Sequence, residues 1–281
     1  MWQKKGSSLV FAAVMAACSG SVLANEHGHG EHGSGEVCTG FGPQTPRDID
    51  SKHGENKVTF SPAPAYTQMN LCNIHFHKSA EHKAKAYSVG GELDEHGNAA
   101  GYQCNIASKL SAAEMAATAA PVCEGEHGGL KPGDTIEVHW VHTSTPTSKP
   151  GPNGLGDCLG DGVKNPDLRV EAQVFVLVND AKATDFTKLG SVKEVNGFQQ
   201  AGGIPSNTGK PVLFAGSTTG PSWNDQKCSP MAVTWSVRPN CAKLDINSLA
   251  KWCESTNMTK DKHAHGVRKL VTVPALLSNI K

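Results

Sequence analysis

The sequence predicts a mainly β fold of the α+β class. Short runs rich in β-branched and aromatic residues recur along the chain, separated by the turn-forming residues Gly, Pro, Asn and Asp. Two of these runs carry closely spaced histidines, and another, residues 170–178, becomes continuously apolar at its end, which is typical of a strand buried on both faces. Only two segments have helical features, so we expect few, short helices.

Six segments have the composition of strands. They are residues 57–60, 71–77, 135–142, 170–178, 211–214 and 232–237. Residues 111–120 are Ala-rich with an acid near their start and predict a short helix, as does the segment 245–253. Residues 143–167 contain four Pro and five Gly, which predicts an irregular loop.

Length and charge exclude some classes of partner. The 281 residues suffice for one large β-rich domain or two small ones. Lys plus Arg and Asp plus Glu number 26 each, so the formal net charge is zero. The chain therefore has no basic field for a nucleic acid backbone and no polybasic stripe for an anionic membrane.

The N-terminus has the pattern of an export signal. Lys4 and Lys5 precede an apolar run at 9–17, and small or apolar residues close the segment 1–24. This run is shorter than the roughly 18 residues expected of a membrane span. We predict a signal peptide at 1–24 and a periplasmic or secreted protein with no later transmembrane segment; acylation of Cys18 as a lipoprotein is the alternative.

A tail follows the predicted signal. Residues 25–36 contain five Gly or Ser and three His but no large apolar residue, so they predict a flexible His/Gly-rich segment that either scavenges metal or serves as a plain linker. A folded domain would then span 37–281. After signal removal an even number of cysteines remains, which predicts disulfides in an oxidising compartment. They are Cys38, Cys72, Cys104, Cys123, Cys158, Cys228, Cys241 and Cys253.

The two histidine clusters predict a metal site. Side chains alternate along a strand, so His75 and His77 share one face. His139 is the candidate for a third ligand, and Glu137, two residues earlier, would lie on the same face and accept the second N–H of that imidazole. His142 lies an odd number of positions from His139 and should point to the opposite face.

The residue types favour zinc. Three imidazoles suit this ion, no methionine or thiolate ligand is apparent, and no cysteines are spaced as C-x-x-C, although imidazole also suits copper and nickel. Glu81 follows the first histidine pair by four residues. It could be a fourth ligand, a general base, or an acceptor that orients a hydroxyl beside the metal.

Several motifs resemble those of the alpha-class carbonic anhydrases. In chain order these are H-F-H at 75–77, A-E-H at 80–82, E-V-H-W-V-H at 137–142, G-S-T-T-G-P at 216–221 and V-T-W at 233–235. The delta class is more similar still, through C-T-G-F-G-P-Q-T-P-R-D-I at 38–49 and C-N-I-H-F-H-K-S-A-E-H-K at 72–83. Loop 143–167 has no evident counterpart in the alpha class. The threonine loop at 216–221 is one residue shorter than its alpha-class equivalent. No residue is assigned as the proton shuttle.

The resemblance implies a fold and an activity. The fold is a single domain with a large central twisted, mostly antiparallel sheet and a few short helices. The activity is zinc-dependent reversible hydration of carbon dioxide to bicarbonate and a proton, by attack of zinc-bound hydroxide. By the same resemblance, Glu81 and Thr218 are catalytic, and Cys38 pairs with Cys228. The substrate would contact Thr219, Val141, Leu168, Val170 and Trp235.

Two other functions fit parts of the sequence. H-x-H-x(3)-E at 75–81 and L-K-P-G-D at 130–134 resemble cupin motifs, which would imply an iron or manganese enzyme. Met69 and Ser88, however, stand where a cupin has flanking glycines. The second alternative is a non-catalytic periplasmic zinc-binding protein that uses the His-rich tail together with the core site.

Overall fold

The computed structural model describes residues 37–93, 99–125, 128–146, 155–160, 165–217, 223–256 and 262–280. All of them belong to one compact unit, residues 36–281. The predicted signal peptide 1–24, with Cys18, and the tail 25–36 lie outside the described residues, so both remain predictions. None of the helices described is long and apolar enough to cross a membrane.

Strands dominate the described part of the chain. The strands are β1 (Asn70–Lys78), β2 (Val89–Gly90), β3 (Tyr102–Gln103), β4 (Thr135–Thr143), β5 (Leu168–Val178), β6 (Val192–Val195), β7 (Phe198–Ala201), β8 (Val212–Ser217), β9 (Ala232–Val237) and β10 (Ala242–Asp245). The α-helices are α1 (Leu155–Leu159), α2 (Phe186–Leu189) and α3 (Ile246–Ser255), and short 3-10 helices lie at Tyr66–Gln68, Asn105–Lys109 and Pro274–Leu276.

Six strands form a mixed central sheet in the order β1–β4–β5–β9–β8, with β10 beside the second half of β5. The pairs β1/β4, β4/β5 and β8/β9 are antiparallel, whereas β9 and β10 run parallel to β5. The prediction of a mainly β fold with a mostly antiparallel sheet and few short helices is therefore confirmed.

Strand β5 is the centre of the core. Every residue of β5 except Arg169 is buried. Phe175 and Leu177 face a cluster that includes Trp252 of helix α3, whereas Val174 and Val176 face a second cluster that includes residues of β9. Apolar side chains on both faces explain why this part of the sequence lacks alternation.

Most predicted elements are present, but two predicted segments do not form. Segment 57–60 forms no strand and is largely exposed, while 111–120 forms only turns, because its exposed side chains offer no apolar face to stabilise a short helix. The hairpin β6–β7 was not predicted. Its signal is Asn196-Gly197, whose positive φ angles of 52° and 81° suit a tight hairpin turn.

Four disulfides pair all eight cysteines of the described residues. They join Cys38 to Cys228, Cys72 to Cys158, Cys104 to Cys241 and Cys123 to Cys253. The Cys38–Cys228 pairing implied by the resemblance is confirmed. Residues 143–167 begin with the last residue of β4 and include helix α1, which was not predicted and in which Cys158 is tied to β1. The rest of what is described there is irregular, as predicted.

Candidate metal centre

The register between β1 and β4 brings the two histidine clusters together. His75 pairs directly with His139, and His77 pairs with Glu137. Directly opposed residues of an antiparallel pair project to the same side of the sheet, with Cβ atoms roughly 5 Å apart. The alternation within each strand and this register together place all four side chains on one face.

The three histidines could hold a metal ion. One ligand nitrogen of each of His75, His77 and His139 lies within 4.8 Å of those of the other two. Nδ1 of His139 is 3.2 Å from Nε2 of His75. Tetrahedral zinc with Zn–N bonds of about 2.0–2.1 Å separates its ligand nitrogens by roughly 3.4 Å, close to this distance.

The other ring nitrogen of each histidine is committed elsewhere. Nδ1 of His75 is 2.6 Å from Oδ1 of Asn73, Nδ1 of His77 is 2.9 Å from the carbonyl oxygen of Gly266, and Nε2 of His139 is 2.9 Å from Oε1 of Glu137. All three partners are oxygen acceptors, so each histidine donates its N–H outward and turns a lone pair inward. Such inward lone pairs fit a shared cation, and hydrogen bonds of this kind orient metal ligands.

Glu137 organises the side of the site next to His139. Its buried carboxylate accepts hydrogen bonds from the backbone N–H groups of Glu81 and His82 and from the rings of His82 and His139. Burial alone would raise the pKa of Glu137, but the electrostatic interaction with His82 and the hydrogen bonds from His139 and His82 hold it well below the usual value. Glu137 is therefore an ionised acceptor.

A second group of possible ligands, His82, Glu137 and His139, is better explained as a hydrogen-bond network. Nδ1 of His82 and Nε2 of His139 lie 2.6 Å and 2.9 Å from the same carboxylate oxygen. Each distance is that of a hydrogen bond between an N–H donor and a carboxylate, which leaves no lone pairs for a cation.

Burial favours the neutral, metal-binding form of two candidate ligands, His75 and His139. It lowers the pKa of His75 well below the usual value, and the nearby His139 and His77 add to the effect. Burial also lowers the pKa of His139, although the hydrogen bond to Glu137 and its charge oppose this. Metal binding requires deprotonated imidazole, so both rings are suited to the role at neutral pH.

His142 lies on the opposite face of β4, as predicted. It belongs to neither group of possible ligands among the described residues. Its Nδ1 is 3.1 Å from the carbonyl oxygen of Trp140, and its ring centroid is 5.5 Å from that of Tyr66. Complete burial lowers the pKa of His142 to about 3, so this histidine is a neutral part of the core.

Glu81 lies behind His77. Its Oε1 is 3.5 Å from Nδ1 of His77, the nitrogen turned away from the other candidate ligands, and accepts the backbone N–H of Arg268 at 3.3 Å. This position does not suit a fourth ligand. Its Oε2 is buried and has no hydrogen-bond partner in the described part of the chain. Burial would raise the pKa of Glu81, but electrostatic interactions with His77, His139 and Arg268 lower it below the usual value.

An apolar wall adjoins the histidines. Val141, Val170 and Trp235 are paired across β4, β5 and β9, and Leu168 is buried in the same cluster. The ring centroid of Trp235 is 5.1 Å from that of His139. The four predicted substrate contacts therefore lie together on the face that carries the histidines. Thr218 and Thr219 lie outside the described residues, so their predicted roles are not tested.

Several side chains that contact the site were not predicted. Asn73 precedes the H-x-H pair by two residues and shares its face, so strand alternation could have identified it. His265, whose ring centroid is 5.6 Å from that of His75, and Arg268 come from the far C-terminal segment. Thr45 comes from the N-terminal segment. No local pattern signals these three.

Comparison with known proteins identifies similar sequences and structures. Residues 66–248, about two thirds of the chain, match the family model described as "Delta carbonic anhydrase". No curated protein sequence matches the chain. One similar solved structure is a hyperthermostable carbonic anhydrase from an active hydrothermal vent chimney, with 14% identity, coverage of 85% of this chain and 86% of that chain, and a TM-score of 0.34. Another is the alpha-carbonic anhydrase of Thermovibrio ammonificans in complex with sulfanilamide, with 14% identity, coverage of 80% and 84%, and a TM-score of 0.27.

Proposed function

The chain belongs to the delta carbonic anhydrase family, and on this premise we propose that it catalyses the reversible hydration of carbon dioxide to bicarbonate and a proton. The ion would be zinc, held by His75, His77 and His139. The observation that carries the proposal is the convergence of three inward-facing imidazole nitrogens whose outward nitrogens all donate to oxygen acceptors.

Zinc suits this set of ligands better than the alternatives. Three neutral imidazoles and no thiolate are typical of a catalytic zinc site, which keeps one position open for water, and all eight cysteines of the described residues are in disulfides. A bound zinc ion lowers the pKa of water from about 15.7 to roughly 7 and so makes hydroxide available at neutral pH.

The protein residues have separate tasks in this proposal. The carboxylate of Glu137 holds the ring of His139 so that Nδ1 faces the ion. Val141, Leu168, Val170 and Trp235 form an apolar surface that suits carbon dioxide, which is small and uncharged.

Glu81 would act as an acceptor rather than as a ligand. Its ionised, buried Oε2 lacks a hydrogen-bond partner among the described residues and can accept a hydroxyl hydrogen. By the family resemblance that hydroxyl belongs to Thr218, whose oxygen would accept a hydrogen bond from the reacting hydroxide and so orient a hydroxide lone pair toward carbon dioxide. Thr219 would line the bicarbonate position.

The compartment follows from cysteine usage. Four disulfides in a chain of this size are typical of proteins that fold in an oxidising environment. We propose export to the periplasm or the cell exterior, directed by residues 1–24. Comparison of the mass of the exported protein with that of the full chain would test removal of this segment.

The test combines metal analysis with kinetics on the exported, oxidised protein. We expect about one zinc per chain by elemental analysis, stopped-flow carbon dioxide hydration well above the buffer rate, and inhibition by acetazolamide. Bound iron or manganese in a protein that does not hydrate carbon dioxide would favour the cupin function. Zinc binding without carbon dioxide hydration, with the zinc lost when residues 25–36 are deleted, would favour a non-catalytic zinc-binding protein.

A further inference from the structure

One contact with the hydrogen-bond network comes from a distant part of the sequence. Oγ1 of Thr45 is 3.1 Å from Nε2 of His82, and both residues are essentially inaccessible to solvent. His82 contacts Glu137, and Glu137 contacts His139. Four side chains thus form a continuous buried chain from the N-terminal segment to a proposed metal ligand.

The donors and acceptors along this chain are fixed by chemistry. Both carboxylate oxygens of Glu137 accept N–H groups, so His82 carries its proton on Nδ1, at 2.6 Å from Oε1. In this tautomer Nε2 of His82 is the nitrogen that carries the lone pair, and it faces Oγ1 of Thr45. The hydroxyl of Thr45 is the group that donates to it, and this contact favours the tautomer that Glu137 requires.

The fold holds Thr45 from both sides. Before it, Gln44 exchanges two hydrogen bonds with the backbone of Ser229, at 3.0 Å and 3.1 Å. After it, the fully buried guanidinium of Arg47 donates to the carbonyl oxygens of Ser278 and Ser51. Two anchored neighbours leave the threonine little freedom to move.

The opposing strand is also shaped to accept Thr45. A Cβ atom added to Gly216 of β8 would lie 2.9 Å from Cβ of Thr45 and 3.1 Å from the ring of Trp235. Real Cβ atoms essentially never approach a neighbour under 3.0 Å. The absence of a side chain at Gly216 therefore leaves the space that the threonine fills.

We propose that Thr45 is a positioning residue of the metal centre, whose hydroxyl holds His82 and, through Glu137, keeps Nδ1 of His139 directed at the bound ion. The hydroxyl contacts His82 rather than one of the three proposed ligands, so it acts on His139 only through His82 and Glu137. The inference rests on the proposed function in one respect, that His139 is a zinc ligand.

The test uses the release of zinc rather than turnover. Thr45→Val removes the hydroxyl at nearly constant volume, and Thr45→Ser keeps it. Thr208→Val is the matched control, because Thr208 is also buried and donates its hydroxyl to a side chain, Oε1 of Gln173, away from the site. The rate of zinc transfer to a coloured chelator is measured for each oxidised protein at one pH.

We expect zinc to leave Thr45→Val about 10-fold or more faster than wild type, the size of effect typical for partners of metal ligands, whereas Thr45→Ser stays near the wild-type rate. Thr208→Val should be less stable to heat yet release zinc at the wild-type rate. In the metal-free protein, the ¹⁵N ring signals of His82 should change in Thr45→Val and not in Thr45→Ser.

Each other outcome counts against a specific claim. Wild-type release from Thr45→Val, or fast release from Thr45→Ser, overturns the inference while the proposed function stands. If Thr45→Val does not fold, Thr45→Ala replaces it with the same expectation. A wild-type protein that takes up no zinc overturns the proposed function and this inference together, and zinc binding without hydration overturns the proposed function alone.

Discussion

Oε1 of Glu137 lies 2.9 Å from Nε2 of His139, two residues further along the same face of β4. The same carboxylate accepts three other N–H groups, all from residues 81 and 82. One side chain therefore sets the ring orientation of a proposed ligand and joins β4 to the segment after β1.

Replacement of Glu137 should loosen the metal. Glu137→Gln offers one acceptor oxygen instead of two and places an NH₂ group against N–H donors, so we expect zinc affinity to fall roughly 10–100-fold. Competition with a chelator would measure this. Glu171→Gln is the control, because Glu171 is equally buried but pairs with Arg169 and Arg238. Equal loss of zinc from both variants would contradict the prediction.

The proposed ligands should be separable from the neighbouring histidine. His75→Ala, His77→Ala and His139→Ala should each lose most zinc and slow hydration by roughly 10²-fold or more, because a three-nitrogen site loses a ligand. His142→Ala should keep its zinc, since His142 faces the other side of β4. Elemental analysis and stopped-flow hydration test both statements. Near-normal hydration by His139→Ala would refute the ligand assignment.

Glu81 should affect the rate without affecting the metal. Glu81→Gln removes the negative charge but keeps the shape, so the histidines stay in place and we expect one zinc per chain with hydration slowed on the order of 10²-fold. Zinc content and hydration rate are measured on one preparation. Loss of zinc in this variant would instead indicate that Glu81 helps to hold the ion.

Acid should destabilise the fold through His142. Its pKa is about 3 in the folded protein, against the ordinary histidine value of 6.5 expected of the unfolded chain, so between these values the unfolded chain binds more protons. Stability from this group is complete above pH 6.5 and is lost as the pH falls towards 3, by about 4 kcal/mol at the lower limit. His142→Leu should lose less stability between pH 7 and pH 4 than wild type.

Denaturant unfolding of the metal-free proteins at several pH values measures this slope. Removal of metal matters because His75, His77 and His139 would otherwise contribute their own pH dependence through zinc binding. An identical loss of stability in wild type and His142→Leu would show that other groups cause the acid sensitivity.

The disulfide Cys38–Cys228 should support activity more than an equivalent bond elsewhere. It ties residue 38, whose N–H donates to the carbonyl oxygen of Asp225, to the chain that follows Thr218. Cys38→Ala/Cys228→Ala should therefore lower the hydration rate as well as the stability.

The control pair is Cys123→Ala/Cys253→Ala, whose bond lies against the face of the central sheet that is opposite the histidines. Loops of 190 and 130 residues predict similar entropic stabilisation, about 5 kcal/mol each. Both double variants should unfold more easily, and only the first should hydrate carbon dioxide more slowly. Unchanged activity after verified loss of the Cys38–Cys228 bond would dispose of this prediction.

The sequence alone determined what depends on local periodicity. Alternation along a strand put His75 with His77, and Glu137 with His139, and it set His142 apart, because successive side chains of any strand point to opposite faces. The same local signals located five of the six strands of the main sheet and missed β10. They failed at 111–120, where helix stability needed a packing partner that the fold does not supply.

Tertiary structure decided everything that joins distant segments. His75 and His139 are 64 residues apart in the chain, and only the pairing of their strands sets them opposite each other. A shift of one residue in that register would turn one set of side chains to the other face. The partner of the outward nitrogen of His77, the pairing of eight cysteines and the hydroxyl of Thr45 against His82 are likewise contacts between remote residues. No spacing in a sequence specifies such contacts, because they exist only once the chain has closed around a common core.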